Sequence, residues 1–524
     1  MPKSDSIISS SSSSRTPAAH ENSPLLTSSQ LESQQPPQLS YHYGYNHNSS
    51  STTQVYDYHY HHYLYYYCYH HYNHNYHHYH YYYYHYYIIN INIIIIINSE
   101  KRMKFSAAIL LLLQFFFLFL FGFFTDPNLE VVYKTGYDFA SGYQFFVGVL
   151  IMMIVGFGYL MTFISGYSIS AAAFSLLITV IAFQWSIFTE AFFNQMYTQE
   201  WAYISIDIDS LLYSLYATAA VLITFGAIIG KVSPYQIYFV TIIELIFYSL
   251  NNQIMQVGVL NTVDCGGTIV IHMFGAFFGL AVSYQIGVPK KDAPLAYVSD
   301  VFSLIGTAFL WVYWPSFVAG ALEVNSVQQQ KAAINTLLAL VASSTTAFAV
   351  SSLLTSDGKF RPCDIQNGTL AGGVAVGAIA NLTLQSSTVL LTGMVAGFVS
   401  VFGFNKIQPW VLNRLKIHDS CGINNLHGMP SLVGGFASVI VAAYKNSGGR
   451  SSDSAVYGSN AENAWFYQFL AVFSTLIIAI ASGSLTGYLV SVMDSPIIST
   501  SAEYEDQVLW ESAAESGGED EKDN

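Results

Sequence analysis

Apolar runs dominate the chain from residue 105 to residue 494, interrupted by short stretches of Gly, Pro, Asn and charge. Most runs are about 17 to 25 residues, the length a helix needs to cross the hydrocarbon core of a bilayer. They predict twelve spans: 105–124, 144–164, 171–192, 211–230, 236–254 and 266–287, then 301–321, 331–354, 368–385, 388–405, 427–444 and 464–494. Backbone polar groups in lipid must be satisfied within each segment, so the expected fold is an all-α polytopic membrane protein. Runs rich in small residues, such as LAGGVAVGAIA (370–380) and LVGGFASVIVAA (432–443), predict closely packed helices.

The charges between the runs test the count. With the N-terminus inside, Lys101, Arg102, Lys104, Lys231, Lys290, Lys291, Lys359, Arg361, Lys406, Arg414 and Lys416 fall on the inner side. Only Lys134, Lys331, Lys445 and Arg450 fall outside, and eleven against four is the bias of a chain with both termini cytoplasmic. Charged residues are only 10% of the chain, against about 25% in soluble domains. The net charge of −14 owes −8 to residues 495–524, an acidic stretch that reads as a solvated tail carrying Trp510.

Residues 1–104 are a low-complexity tail with no cleavable signal at its start, and twelve of the 16 histidines lie between residues 42 and 85. The Tyr/His tract (56–87) has no fixed ligand spacing, so it reads as a repeat expansion, not a metal site. Ile88–Ile97 is too short to span and carries Asn90 and Asn92. Cys68, Cys265, Cys363 and Cys421 are too scattered for a disulfide framework or a metal quartet.

One pattern is written twice. DCGGTIVIH (264–272) and DSCGINNLH (419–427) each place an aspartate eight residues before a histidine and a glycine three past the aspartate. The two motifs open spans six and eleven, which run in opposite directions, so spans two to six and seven to eleven form a 5+5 inverted repeat. Eight helical residues rise about 12 Å, which sets Asp264 and Asp419 near the two faces and His272 and His427 near the centre. The aspartates read first as N-caps, and secondarily as groups that make the helix mouths electronegative. A histidine inside a span is costly and is a functional candidate, and a matched pair is a stronger one. No third ligand stands in register with both, so no metal, haem or other cofactor is expected. Neutral imidazole offers one donor and one acceptor, which suits a small molecule that does both. Water does, and so does ammonia. An apolar passage would strip ammonium of hydration and favour its crossing as ammonia, a route closed to potassium. Glu190 and Glu244 also lie within spans, either attracting cations or pairing with Ser, Thr or backbone groups.

At these residues the chain resembles the ammonium transporter/Rhesus family, and more closely its Rhesus glycoprotein branch. The resemblance covers roughly residues 101–494 and rests on MTFISGYS (161–168), ITFGAIIGKVSP (223–234), DCGGTIVIHMFGAFFGL (264–280), SLIGTAFLWVYWPSF (303–317), AAINTLLAL (332–340), IQNGTLAGGVAVG (365–377) and HDSCGINNLHGMPSLVGG (418–435). It implies an eleven-span core plus one extra N-terminal span (105–124), a homotrimer with one pore per subunit, and a channel rather than an enzyme. By position, His272 and His427 would be the pore histidines, with Asp264 at the outer vestibule and Asp419 its cytoplasmic counterpart. Phe317 matches one of two stacked phenylalanines that close the outer end, and Tyr216 stands where the other is expected. That substitution predicts a wetter gate. Asp300 matches a Rhesus aspartate, while Asn252 occupies a vestibule position where Rhesus proteins often carry Glu. The implied cargo is ammonia recruited as ammonium, with carbon dioxide through the same fold, or a non-transporting redox, metal or scaffold protein, as alternatives. The expected partners are the bilayer, of the plasma membrane or an endosomal or vacuolar membrane, and no nucleic acid.

Overall fold

The computed structural model describes residues 103–126, 139–291, 296–447, 453–493, 503–507 and 509–510. The Tyr/His tract and Ile88–Ile97 lie outside the described residues. Eleven described helices are long and apolar enough to cross a membrane. They are α1 (Met103–Phe124), α2 (Ala140–Phe163), α3 (Ser165–Thr198), α4 (Ile208–Ile228), α5 (Pro234–Val257), α6 (Thr268–Ile286), α7 (Tyr297–Gly320) and α8 (Val327–Leu354), then α11 (Ser386–Leu415), α12 (Asn424–Lys445) and α13 (Ala461–Val492). Between α8 and α11 come two short helices, α9 (Pro362–Gly368) and α10 (Ala371–Val376).

The stretch 368–385, expected as one continuous span, is therefore broken. Its glycines let it pack closely: a Cβ at Gly372 would run into the Ala339 carbonyl, and one at Gly373 would fall 2.5 Å from Trp314 Nε1. Backbone groups freed by the break are met by side chains, as irregular backbone inside a membrane protein requires. Thr268 Oγ1 donates to the Val374 carbonyl (2.6 Å), Ala378 N–H to Thr268 Oγ1 (2.8 Å) and Asn335 Nδ2 to the Ala380 carbonyl (2.8 Å).

Elsewhere small residues set the helix approach. Gly393 and Gly397 of α11 press on the Ala339 and Ser343 backbone of α8, while Gly483 and Gly487 of α13 press on Phe278 and Val282 of α6. A Cβ at Gly397 would lie 2.7 Å from the Ser343 carbonyl oxygen, so each i, i+4 glycine pair is a close-packing face. The outer surface is apolar. Leu111, Leu112, Phe115 and Leu118 of α1 are each more than 60% exposed. In water each such side chain would forgo about 1.5–3 kcal/mol of burial, so this face belongs in lipid. The other face of α1 docks on α3, with Phe117 6.3 Å from Trp185 and Phe121 edge-on to Phe188 at 4.9 Å.

The acidic tail is not wholly solvated. Tyr504 is fully buried, and Asp506 Oδ2 accepts the Ser170 N–H near the start of α3 (3.0 Å). Trp510 Nε1 donates to Ser170 Oγ (2.8 Å) and its ring lies 6.1 Å from Phe174. A carboxylate at a helix N-terminus meets free N–H groups and the positive end of the helix dipole, so this part of the tail has a reason to dock.

Candidate functional site

The two Asp–His motifs fold into the same frame. Asp264 Oδ2 accepts the N–H groups of Ile269 (2.8 Å) and Val270 (2.9 Å). Asp419 accepts those of Ile423 and Asn424, one on each carboxylate oxygen, both at 2.9 Å. Each aspartate thus satisfies orphan donors of the first helical turn. The shared glycine has a backbone cause: Gly267 sits at φ +63° and Gly422 at φ +74°, a region that disfavours any Cβ. Each histidine then lies in a π-helical turn, Thr268–Met273 for His272 and Asn424–Gly428 for His427. Such turns are rare and frequent at functional sites.

The frame extends beyond the motifs. Gln256 Nε2 donates to the Asp264 carbonyl (3.1 Å), and Gln408 Nε2 to the Asp419 carbonyl (2.9 Å). The N–H two residues past each aspartate donates to a glycine carbonyl: Gly266 to Gly377 (3.0 Å), and Cys421 to Gly226 (2.9 Å). Gly226 is on α4 and Gly377 just follows α10, equivalent elements of the two halves. This is the inverted repeat written in hydrogen bonds.

His272 and His427 meet. Their Nδ1 atoms are 3.2 Å apart and their rings nearly parallel, 13° between planes with centroids 5.2 Å apart. Both are buried, 1% and 2% exposed. One Nδ1 must therefore carry the proton that the other accepts. Trp314 covers the far face of His272 (5.6 Å, 20°), and Phe157 stacks on His427 (6.1 Å, 18°). Among the described residues His272 Nε2 has no hydrogen-bond partner, so a polar edge faces the centre of an apolar stack.

On the Asp264 side lies a cavity of about 600 Å³, lined among others by Glu190, Tyr216, Asn252, Gln256, Asp264 and Asn381. Glu190 Oε1, Asn252 Oδ1, Asp264 Oδ1 and Asn381 Oδ1 are buried and have no partner among the described residues. Asn252 thus shares this cavity with an acid after all, Glu190, supplied from α3. Glu244 faces elsewhere, accepting from Thr224 Oγ1 at 2.7 Å. On the Asp419 side the cavity is about 20 Å³ and mostly apolar, lined by Phe157, Leu160, Ile223, Leu426 and His427 among others. There Lys231 Nζ donates to Ser283 Oγ (2.6 Å) and to the His418 carbonyl (2.8 Å). Burial pushes both aspartates above the usual carboxylate range against the pull of their N–H donors, and at Asp419 Lys231 also pulls downward.

Tyr216 and Phe317 stand between the large cavity and His272. Their rings meet edge to face at 4.9 Å and 84°, and Phe317 is 5.7 Å from His272. The expectation of a wetter gate is corrected here. The Tyr216 hydroxyl donates to the Phe317 carbonyl (2.9 Å) and is only slightly exposed with the rest of its side chain, at 6%. Asp300 sits in the first turn of α7, where Gln366 donates to its carbonyl at 3.3 Å, away from this site.

Fold and site together define a multi-pass helical membrane transport protein built on an internal inverted repeat. Residues 134–511 match the Ammonium Transporter Family, and the chain belongs to that family. It is 36% identical over 396 residues to ammonium transporter Rh type B of Xenopus tropicalis, covering 71% of this chain and 83% of the relative. With Rh type A of Bos taurus it shares 37% over 379 residues, 71% of this chain and 84% of the relative. The solved structure of Nitrosomonas europaea Rh50, of the Rhesus protein family of channels, superposes with a TM-score of 0.62 at 29% identity, over 73% of this chain and 95% of that one. Candida albicans Mep2 shares the fold, at 20% identity and a TM-score of 0.54 over 67% of this chain and 83% of that one. These likenesses bear out the Rhesus-branch resemblance read from the sequence.

Proposed function

We propose that the protein is an ammonia channel that takes up ammonium at the Asp264 end and passes ammonia along His272 and His427. The observation that carries this reading is the direct Nδ1–Nδ1 contact of two buried imidazoles between the two cavities. Ammonium has donors only, and the unpaired oxygens of Glu190, Asn252, Asp264 and Asn381 are acceptors that suit it. Beyond Tyr216 and Phe317 the surroundings are aromatic and apolar, where a cation is costly. Ammonium releases its proton to water in the large cavity and ammonia, a donor and an acceptor, moves along the imidazole edges. Potassium has no proton to release. Asp264 and Asp419 hold the two histidine-bearing turns in place, and Asp264 draws cations toward the larger mouth. Three copies assemble with one passage each, and both termini face the cytoplasm, the orientation favoured by the eleven-to-four Lys/Arg bias.

Stopped-flow measurement of internal pH in proteoliposomes tests the reading. Under an ammonium gradient, native protein is expected to speed alkalinisation well beyond protein-free vesicles, and His272→Ala to abolish most of the gain. Equal rates with and without native protein would sink it. Carbon dioxide, the alternative cargo, donates no proton, so a carbon dioxide flux that survives His427→Leu while ammonium gives none would put that cargo in ammonia's place.

A further inference from the structure

The residue expected to make the gate wetter has its hydroxyl bonded to the partition itself. Tyr216 lies on α4 and Phe317 in the last turn of α7. The last four carbonyls of a helix have no intrahelical donor. At this end the Ala321 N–H turns to the Ala319 carbonyl, so the Phe317 carbonyl is open to another donor. The Tyr216 hydroxyl fills that role at 2.9 Å. Its slot exists because residue 320 is glycine: a Cβ there would stand 2.9 Å from the hydroxyl oxygen, closer than side chains pack. A phenylalanine at 216 would keep the edge-to-face ring contact and leave the carbonyl unmet.

Tyr216 lines the large cavity, and Phe317 touches the His272 ring on the other side. We infer that Tyr216 is a latch: its hydrogen bond to the Phe317 carbonyl holds the Tyr216 ring closed against Phe317 across the passage and sets how often that ring swings aside. This rests on the ammonia-channel reading for its effect on flux. Opening by a swing of the Tyr216 ring must break that bond as well as the ring contact, because the bond anchors this ring to the α7 backbone. A hydrogen bond of ordinary net strength corresponds to a shift in the open population of roughly threefold to tenfold.

Tyr216→Phe, Gly320→Ala and the double variant, reconstituted beside native protein, test it. Tyr216→Phe is expected to raise the initial ammonium-driven rate about threefold to tenfold. Gly320→Ala, which crowds the hydroxyl off its carbonyl, should raise it similarly, and the double variant no further than Tyr216→Phe alone. A Tyr216→Phe rate at or below native, or effects that multiply in the double variant, overturns the latch. If native protein conducts no ammonium, the channel reading fails by itself, and the latch is judged by infrared difference spectra of native protein against Tyr216→Phe. The band lost must be that of a hydrogen-bond-donating phenol, also weakened in Gly320→Ala. A free-hydroxyl band overturns it. Monodisperse elution of each variant guards against misfolding, and Tyr216→Phe, the milder change, stands alone if Gly320→Ala fails to fold.

Discussion

The Asp264 and Asp419 ends of the molecule share a frame and differ in almost everything around it. Both have a capping aspartate, a left-handed glycine, a glutamine on the aspartate carbonyl and a π-turn that carries the histidine. Yet one end opens onto about 600 Å³ edged by unpaired oxygens, and the other onto about 20 Å³ of mostly apolar space. At the second end Lys231 stands by Asp419, and Tyr504 of the tail reaches Ser420 Oγ at 3.2 Å. The two ends thus share the backbone device that aims a histidine. The surroundings came from side chains on other helices, and they make one end hospitable to a cation and the other not.

The shared frame is broken most directly at its glycines. Gly267→Ala and Gly422→Ala each force a Cβ into the left-handed region, at roughly 1–2 kcal/mol. Each also meets a packed neighbour, Ile271 for Gly267 and the Phe404 ring for Gly422. Both variants are expected to lose at least about 2 kcal/mol, read as a lowered midpoint of thermal unfolding in detergent, and to lose most ammonium flux. Native stability in either variant would mean the left-handed turn is not what sets the frame.

The difference between the ends is sharpened by Glu190→Gln. The change keeps the shape and puts an amide donor where the large cavity has an acceptor oxygen. Its expected effect is a roughly tenfold weaker half-saturation for ammonium presented from the Asp264 side, about 1.4 kcal/mol. With ammonium on the other side the half-saturation should not change. Vesicles of sorted orientation make the comparison, and an equal effect from both sides would remove Glu190 from cation capture.

Much of this was legible in the sequence, because an imidazole or carboxylate inside an apolar run has few bland explanations. The repeated Asp–His spacing marked both histidines, and their convergence followed from span parity and the rise of eight helical residues. What stayed hidden depends on contacts between distant segments. Tyr216 suggested a wetter gate because a hydroxyl is polar. Its acceptor is a carbonyl 101 residues away that no local pattern marks. The run at 368–385 had the composition of a span, but composition does not distinguish one helix from two short ones propped by Thr268 and Asn335. Net charge hid the docking of Tyr504, Asp506 and Trp510, since three residues in an acidic tail barely alter its sum. Trp314 lay inside a recognised block without a stated role, and nothing in the sequence marked Phe157.

Gln256 and Gln408 escaped notice for a simpler reason. They stand eight and eleven residues before their aspartates, so the repeat is inexact where they fall. They give the subtlest test of the comparison. Each donates one hydrogen bond to an aspartate carbonyl, worth about 0.5–1.5 kcal/mol net. Gln256 lines the large cavity, where water can take its place once it is cut to alanine. Gln408 Oε1 also accepts from Asn425 Nδ2 at 2.7 Å, so its loss strands a second polar group beside the π-turn that carries His427. Gln408→Ala should therefore lower stability by about 1 kcal/mol more than Gln256→Ala, seen as a larger fall in the unfolding midpoint. Equal losses would mean that the two ends differ in what they admit but not in how they are held, and a larger loss for Gln256→Ala would reverse the assignment of the wetter end.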